Sequence, residues 1–288
     1  MSLALVDFAS DSVVDDVRRA CEEIGFLIVI GHGVDQTTVD DIDRVSRAFF
    51  DLPVEEKLRF RDGDLKPDRP IYRPVKSESL SATLGEERHG DLKESLDYGP
   101  TLPGAGWPER PAGLENAYRG YLAAMNTLGR RLRHVCARAL GYDEEFFEPL
   151  FDERGSSLRV INYPELDSRP QAGELRAGAH RDYGFLTILR SENVAGGLQV
   201  QTRDGEWVVV ETPPGSFVVN LGDMLAEWSV GRWVSTLHRV AAPPPAAVGT
   251  RRQSLVFFHN PRDDAYIDAL ETTAGEYILA KAAQAFGS

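Results

Sequence analysis

Three residues of this chain have the types and spacing for metal chemistry: His180 and Asp182, two apart, and His238, 56 residues further on (238 − 182). In a strand, alternate side chains leave on the same side, so Ala179-His180-Arg181-Asp182 would offer an imidazole and a carboxylate together. Thr236 to Val240 reads as another short strand, and the intervening chain is long enough for several strands to return His238 to the same place. Two imidazoles and one carboxylate on one side of an ion leave its other positions open, which suits non-haem iron(II) and oxygen chemistry. A His-x-Asp arises readily by chance in a chain with six histidines, so a third element carries weight. Arg251 to Phe258 reads as a strand in which Arg252 and Ser254 share a face while Arg251 points away. A planar guanidinium beside a hydroxyl is suited to holding a carboxylate by charge-assisted hydrogen bonds.

The order His-x-Asp, His, Arg-x-Ser in β-rich sequence resembles the iron(II)/2-oxoglutarate-dependent dioxygenases, in particular their isopenicillin N synthase-like branch. Further segments are similar to that family: Gly25-Phe26-Leu27-Ile28-Val29-Ile30-Gly31-His32-Gly33-Val34, Asp91-Leu92-Lys93-Glu94-Ser95, Asn162-Tyr163-Pro164, Gly196-Gly197-Leu198-Gln199-Val200 and Asn220-Leu221-Gly222-Asp223-Met224. The resemblance implies iron(II) on His180, Asp182 and His238. It also implies 2-oxoglutarate and dioxygen as cosubstrates, with Arg252, Ser254 and Tyr163 binding 2-oxoglutarate. Its reaction would be oxidative decarboxylation of 2-oxoglutarate coupled to hydroxylation of a small organic molecule, or to its desaturation or cyclisation, in secondary metabolism. Related halogenases lack the carboxylate ligand, so Asp182 disfavours halogenation. Tyr72, Arg73, Leu225, Trp228, His259 and Phe286 are the substrate-contact candidates, by resemblance and by their aromatic or charged character near strand ends. Three alternatives remain at this point. An iron oxidase that does not use 2-oxoglutarate carries the same Arg-x-Ser, a jelly-roll protein could bind a ligand without chemistry, and a zinc hydrolase could use the same ligand types.

These residues need a β-rich scaffold to position them. After Gly155, short candidate strands at 158–163, 184–190, 198–202, 207–211, 217–221, 236–240 and 254–259 are separated by turn chemistry such as Arg203-Asp204-Gly205. Many short strands without alternating helices predict a mainly β fold, a double-stranded β-helix or jelly roll backed by N-terminal helices. Ahead of it, Val13, Val17, Ala20, Cys21 and Ile24 recur at helical spacing. Asp35 caps a second helix, and Leu114 to Leu140 carries a long apolar stripe closed by Gly141. Between them, residues 61–111 lose periodicity and read as loop, a candidate lid. The organisation follows: an N-terminal region at 4–125, a jelly-roll core at 154–262 and a closing segment at 263–288.

A net charge of −13 argues against a nucleic-acid surface. Cys21 and Cys136 lie in helical, partly apolar patterns and read as free buried thiols. No run of the sequence approaches a membrane span, and the N-terminal residues lack a signal-peptide pattern, so a cytoplasmic enzyme with a small-molecule substrate is the expectation. His32, His89 and His134 read as turn or surface residues.

Overall fold

The computed structural model describes residues 3–61, 64–86, 89–166, 168, 170–171 and 173–287. Its N-terminal part is β1 (Ala4–Asp7), α1 (Val13–Glu23), β2 (Phe26–Ile30), α2 (Gln36–Phe50), α3 (Val54–Leu58), β3 (Ile71–Arg73), β4 (Glu94–Tyr98) and α4 (Leu114–Leu140). The strand-rich part follows with β5 (Ser157–Tyr163), β6 (Ala177–His180), β7 (Leu186–Ser191), β8 (Leu198–Gln201), β9 (Trp207–Val209) and β10 (Phe217–Leu221). After these come α5 (Asp223–Trp228), β11 (His238–Val240), β12 (Arg252–His259) and α6 (Ala274–Phe286).

Two sheets face each other. The larger has the order β1-β2-β10-β7-β12-β5-β4-β3, and the smaller β6-β11-β8-β9. Pairing in both is antiparallel apart from β1 with β2. Between the sheets lie two apolar clusters. Ile161, Tyr163 and Val256 of the larger sheet meet Ala177 and Val240 of the smaller, and Phe26 and Val218 meet Leu198 and Val200. The outer face of the larger sheet packs on α1, α2 and α4 through a core that includes Phe49, Tyr118, Met125, Leu128, Leu255 and Phe257. This is the jelly roll backed by helices.

Alternation along β12 separates the two cores. Arg252 and Ser254 pair with Tyr163 and Ile161, whereas Leu255 and Phe257 belong to the helix-side core and Gln253 bonds Asp43 of α2 at 3.0 Å.

The region read as loop holds β3 and β4. All five residues of β4 are buried, and it extends the larger sheet beside β5. Its charged residues conceal it: Glu94 is neutralised by Lys57 at 2.8 Å behind the sheet, and Asp97 by Arg159 at 2.8 Å in front. The N-terminal strands therefore complete the larger sheet. At the other end, Thr273 and Glu276 form a reciprocal cap on α6, and the Ala285 carbonyl accepts from the Ser79 amide. Among the described residues no helix is long and apolar enough to cross a membrane.

Candidate active site

His180 is the last residue of β6, and Asp182 lies just past its end, so the pair is not carried within one strand. His238 opens β11 and is the direct antiparallel partner of His180, which brings the ring centroids to 4.3 Å. The Nε2 atoms of His180 and His238 stand 3.7 and 3.8 Å from Asp182 Oδ1. Among the described residues, this is the only group of three such side chains whose ligand atoms all lie within 4.8 Å of one another. Atoms bound at about 2.1 Å and at right angles around an ion are separated by roughly 3 Å, so a small side-chain adjustment closes the site.

Each side chain is aimed by a partner behind it. The Nδ1 atoms of His180 and His238 face the carbonyls of Gly178 and Thr236 at 2.8 and 3.1 Å, which places the ring proton there and leaves each Nε2 lone pair for a metal. Burial, with His238 beside it, pushes the His180 imidazole down to about 3, so it is neutral. Burial opposes ionisation of Asp182. The neighbouring His238 and His180 and hydrogen bonds from Asn220 and Thr187 outweigh it and hold the carboxyl below its usual range. Both hydrogen bonds, at 2.7 Å from Asn220 and 2.5 Å from Thr187, go to Oδ2, leaving Oδ1 to face the imidazoles. Behind the turn, the Asp223 amide donates to the Asp182 carbonyl, and a Cβ on Gly222 would stand 2.1 Å from the Gly184 carbonyl oxygen, so only glycine fits.

The larger sheet supplies the second half. Arg252, Ser254 and Tyr163 share its inner face, and the Arg252 guanidinium carbon lies 4.8 Å from the Tyr163 ring centre. Arg252 Nη2 donates to Ser191 Oγ at 2.6 Å, yet its Nε and Nη1 and the Ser254 hydroxyl have no partner although buried. Buried donors without acceptors are costly, so this constellation fits an anionic ligand.

The remaining sequence candidates divide between the two sides of the larger sheet. His259 is seven residues from Arg252 and therefore on the opposite face of β12, packed against Gly129 of α4, with Arg133 and Ser156 each 3.1 Å from a ring nitrogen. Tyr72 is likewise on the helix side, its hydroxyl donating to Glu94 at 2.5 Å and its ring packing on Phe49. Leu225 belongs to the same helix-side core, and Trp228 packs edge-on to Phe147 and Phe185. All four thus pack in or against the helix-side core of the larger sheet. Arg73 and Phe286 do lie together, the guanidinium 4.2 Å from the ring centre, with Arg73 on the inner face of β3 and paired to Asp97 at 3.0 Å. Thr187, Ser191 and Asn220 have no sequence spacing that marks them, although Asn220 lies in a segment similar to the family's.

Residues 155–261 match the sequence profile of the 2OG-Fe(II) oxygenase superfamily, and 2–121 that of the non-haem dioxygenase in morphine synthesis N-terminal region. The chain belongs to the 2OG-Fe(II) oxygenase superfamily. It is 32% identical over 275 residues to homoarginine-6-hydroxylase 2-ODD-233 of Oryza sativa subsp. japonica, covering 90% of this chain and 80% of the relative. The crystal structure of a full-length Neurospora crassa protein in complex with alpha-KG superposes with a TM-score of 0.82 at 25% identity, covering 97% of this chain and 95% of that one. JOX2 in complex with 2OG, Fe and JA does so with a TM-score of 0.79 at 25% identity, covering 97% and 85%. This 2OG-Fe(II) oxygenase is thus an iron(II)- and 2-oxoglutarate-dependent dioxygenase acting on a small molecule. The 2-oxoglutarate-independent oxidase and the non-catalytic binding protein find no support among these relatives.

Proposed function

We propose that His180, Asp182 and His238 hold the iron, that Arg252 and Ser254 bind the far carboxylate of 2-oxoglutarate, with Tyr163 lining that pocket, and that the reaction is hydroxylation of a small polar molecule. One observation carries the reading: a fully buried guanidinium with two unpartnered donors and an unpartnered hydroxyl shares the inter-sheet space with the only metal-suited triad among the described residues. Iron with 2-oxoglutarate supplies the oxidation of an unactivated C–H bond as the cosubstrate is decarboxylated to succinate. The chain's own tasks would be to hold the cosubstrate by its far carboxylate, to place the target carbon and to exclude water.

A polar substrate is supported by the charged lining on the same inner face. Arg159 bonds Asp97 at 2.8 Å and Glu78 at 3.0 Å, Lys93 pairs with Glu78 at 2.7 Å, and Arg73 and Phe286 stand at the more exposed end. With a homoarginine hydroxylase among its relatives, homoarginine is the first compound to try.

The test is anaerobic. Iron(II) and then 2-oxoglutarate are added to the metal-free protein, and the visible metal-to-ligand charge-transfer band of a chelated 2-oxo acid is followed. The band should appear in the wild type, be lost when His180, Asp182 or His238 becomes alanine, and need far more 2-oxoglutarate in Arg252→Ala. An unchanged titration in Arg252→Ala would remove the assigned anchor. Succinate release with homoarginine above the uncoupled background would support the substrate class, and none with any cationic or zwitterionic amino acid would count against it.

A further inference from the structure

Arg252 is not the only guanidinium buried beside Tyr163. Arg176, immediately before β6, is 1% exposed and Arg252 0%. The guanidinium carbons lie 5.9 and 4.8 Å from the Tyr163 ring centre. Arg176 Nη1 donates to the carbonyls of Ala195 and Gly196, each at 3.0 Å, and Nη2 donates to that of Thr250, while Nε has no partner. Among the described residues, the charged or titratable neighbours acting on it are Arg252 and the Tyr163 phenol, neither of them a carboxylate. Burial, with Arg252 beside it, pushes the Arg176 guanidinium down to about 10, so it keeps its charge at neutral pH.

Two buried positive charges against one ring are an unbalanced arrangement. An aromatic face offsets part of one cation, and carbonyl oxygens satisfy donors without neutralising the charge. A clip that ties the segments holding Ala195, Gly196 and Thr250 together explains three hydrogen bonds. It needs no formal charge, and it leaves Nε without a role.

We propose that Arg176 is a second cationic positioning residue of the cosubstrate site, its charge acting with that of Arg252 on the far carboxylate of 2-oxoglutarate. This rests on the assignment of Arg252 above. The carbonyls of Ala195, Gly196 and Thr250 fix the Arg176 fork in place, so the pocket is electropositive before the dianion arrives and no side chain need be ordered on binding.

A ligand that lacks only the far carboxylate separates this role from a structural one. 2-Oxopentanoate has the same five-carbon chain and the same chelating 2-oxo acid. Anaerobic titrations of the iron(II)-loaded wild type, Arg176→Met and Arg176→Lys with each acid, followed by the visible band, give the dissociation constants. Arg176→Met is expected to weaken 2-oxoglutarate by roughly 10- to 100-fold while leaving 2-oxopentanoate within about twofold, with Arg176→Lys intermediate for 2-oxoglutarate. Equal weakening of both acids, or no change in either, would make Arg176 a loop clip and overturn the proposal. If Arg176→Met does not fold, the same comparison in Arg176→Lys decides: loss confined to 2-oxoglutarate supports the role, and equal loss or none refutes it. A wild type with no band, or with no preference for 2-oxoglutarate over 2-oxopentanoate, would overturn the Arg252 assignment and this proposal with it. A preference that survives in the wild type but is untouched by the Arg176 variants overturns the proposal alone.

Discussion

Replacing Asn220 by leucine, or Thr187 by valine, removes one of the two hydrogen bonds that fix Asp182 without altering any proposed iron ligand. The two donors are register partners on the adjacent strands β10 and β7, and both reach Asp182 Oδ2. A hydrogen bond to a buried ionised carboxylate contributes about 1.5–3 kcal/mol. In the metal-free protein that loss should appear as destabilisation and as a carboxyl that protonates at higher pH, because the interactions opposing its burial are fewer. In the iron form it should appear as a metal site whose Oδ1 is no longer aimed, with affinity lower by roughly 10- to 100-fold. The two donors share one acceptor atom, so the double variant should depart from the sum of the singles by about 0.5 kcal/mol or more. Anaerobic calorimetry with iron(II), repeated with cobalt(II) to read the ligand field, measures the affinity, and urea unfolding measures the stability. Two folded single variants with wild-type metal affinity would show that Asp182 needs no orienting partners, and would refute the account of the site.

Two further expectations concern the face behind the sheet. His259 is buried against α4, where burial, then Arg133 and Arg130, push its imidazole down to about 3, so folding requires the neutral ring. Its contribution is present above the ordinary value near 6.5 and is lost as pH falls towards 3, at up to about 1.4 kcal/mol per pH unit. Urea unfolding of wild type and His259→Gln at pH 6.5 and 5 should therefore show a shallower loss in the variant, and equal slopes would contradict the buried neutral ring. Lys57 donates to Glu94 and to the Phe50 carbonyl, with both charged side chains 5% exposed. Lys57→Met should cost about 3 kcal/mol in chemical denaturation while iron and 2-oxoglutarate affinity hold, and Lys57→Met with Glu94→Gln should recover part of it; no loss would show that Glu94 is satisfied by Tyr72 and Asn162 alone.

The triad and Arg-x-Ser were legible because their chemistry depends on side-chain identity at fixed spacing. The same alternation that puts Arg252 and Ser254 on one face puts His259, an odd number of residues from Arg252, on the other, so its place behind the sheet had a signal in the sequence. Tyr72 had none, because β3 and β4 were hidden. Strand recognition relies on apolar residues alternating with polar ones, whereas β4 buries charges on both faces, and their partners Lys57 and Arg159 lie 37 and 62 residues away in sequence. Thr187, Ser191, Asn220 and Arg176 escaped for a related reason: each acts by reaching a partner that only the fold brings near.

β12 also shows why binding and stability are hard to separate in this architecture. Its inward residues Arg252 and Ser254 face the proposed cosubstrate pocket, and its outward residues Leu255 and Phe257 pack on the helices. A slip of one residue would exchange the two sets, turning a guanidinium into the helix core and apolar side chains towards the iron site. Gln253 opposes such a slip. Its amide nitrogen reaches Asp43 of α2, and its backbone N–H donates to Glu192 at 2.7 Å, directly after the strand that carries Ser191, which orients Arg252. The contacts that hold α2 to the sheet thereby also fix the distance between the anion pocket and the triad. Substitutions at Gln253 or Asp43, outside the pocket, should accordingly weaken 2-oxoglutarate binding together with stability, whereas a change at Ser254 should weaken binding alone.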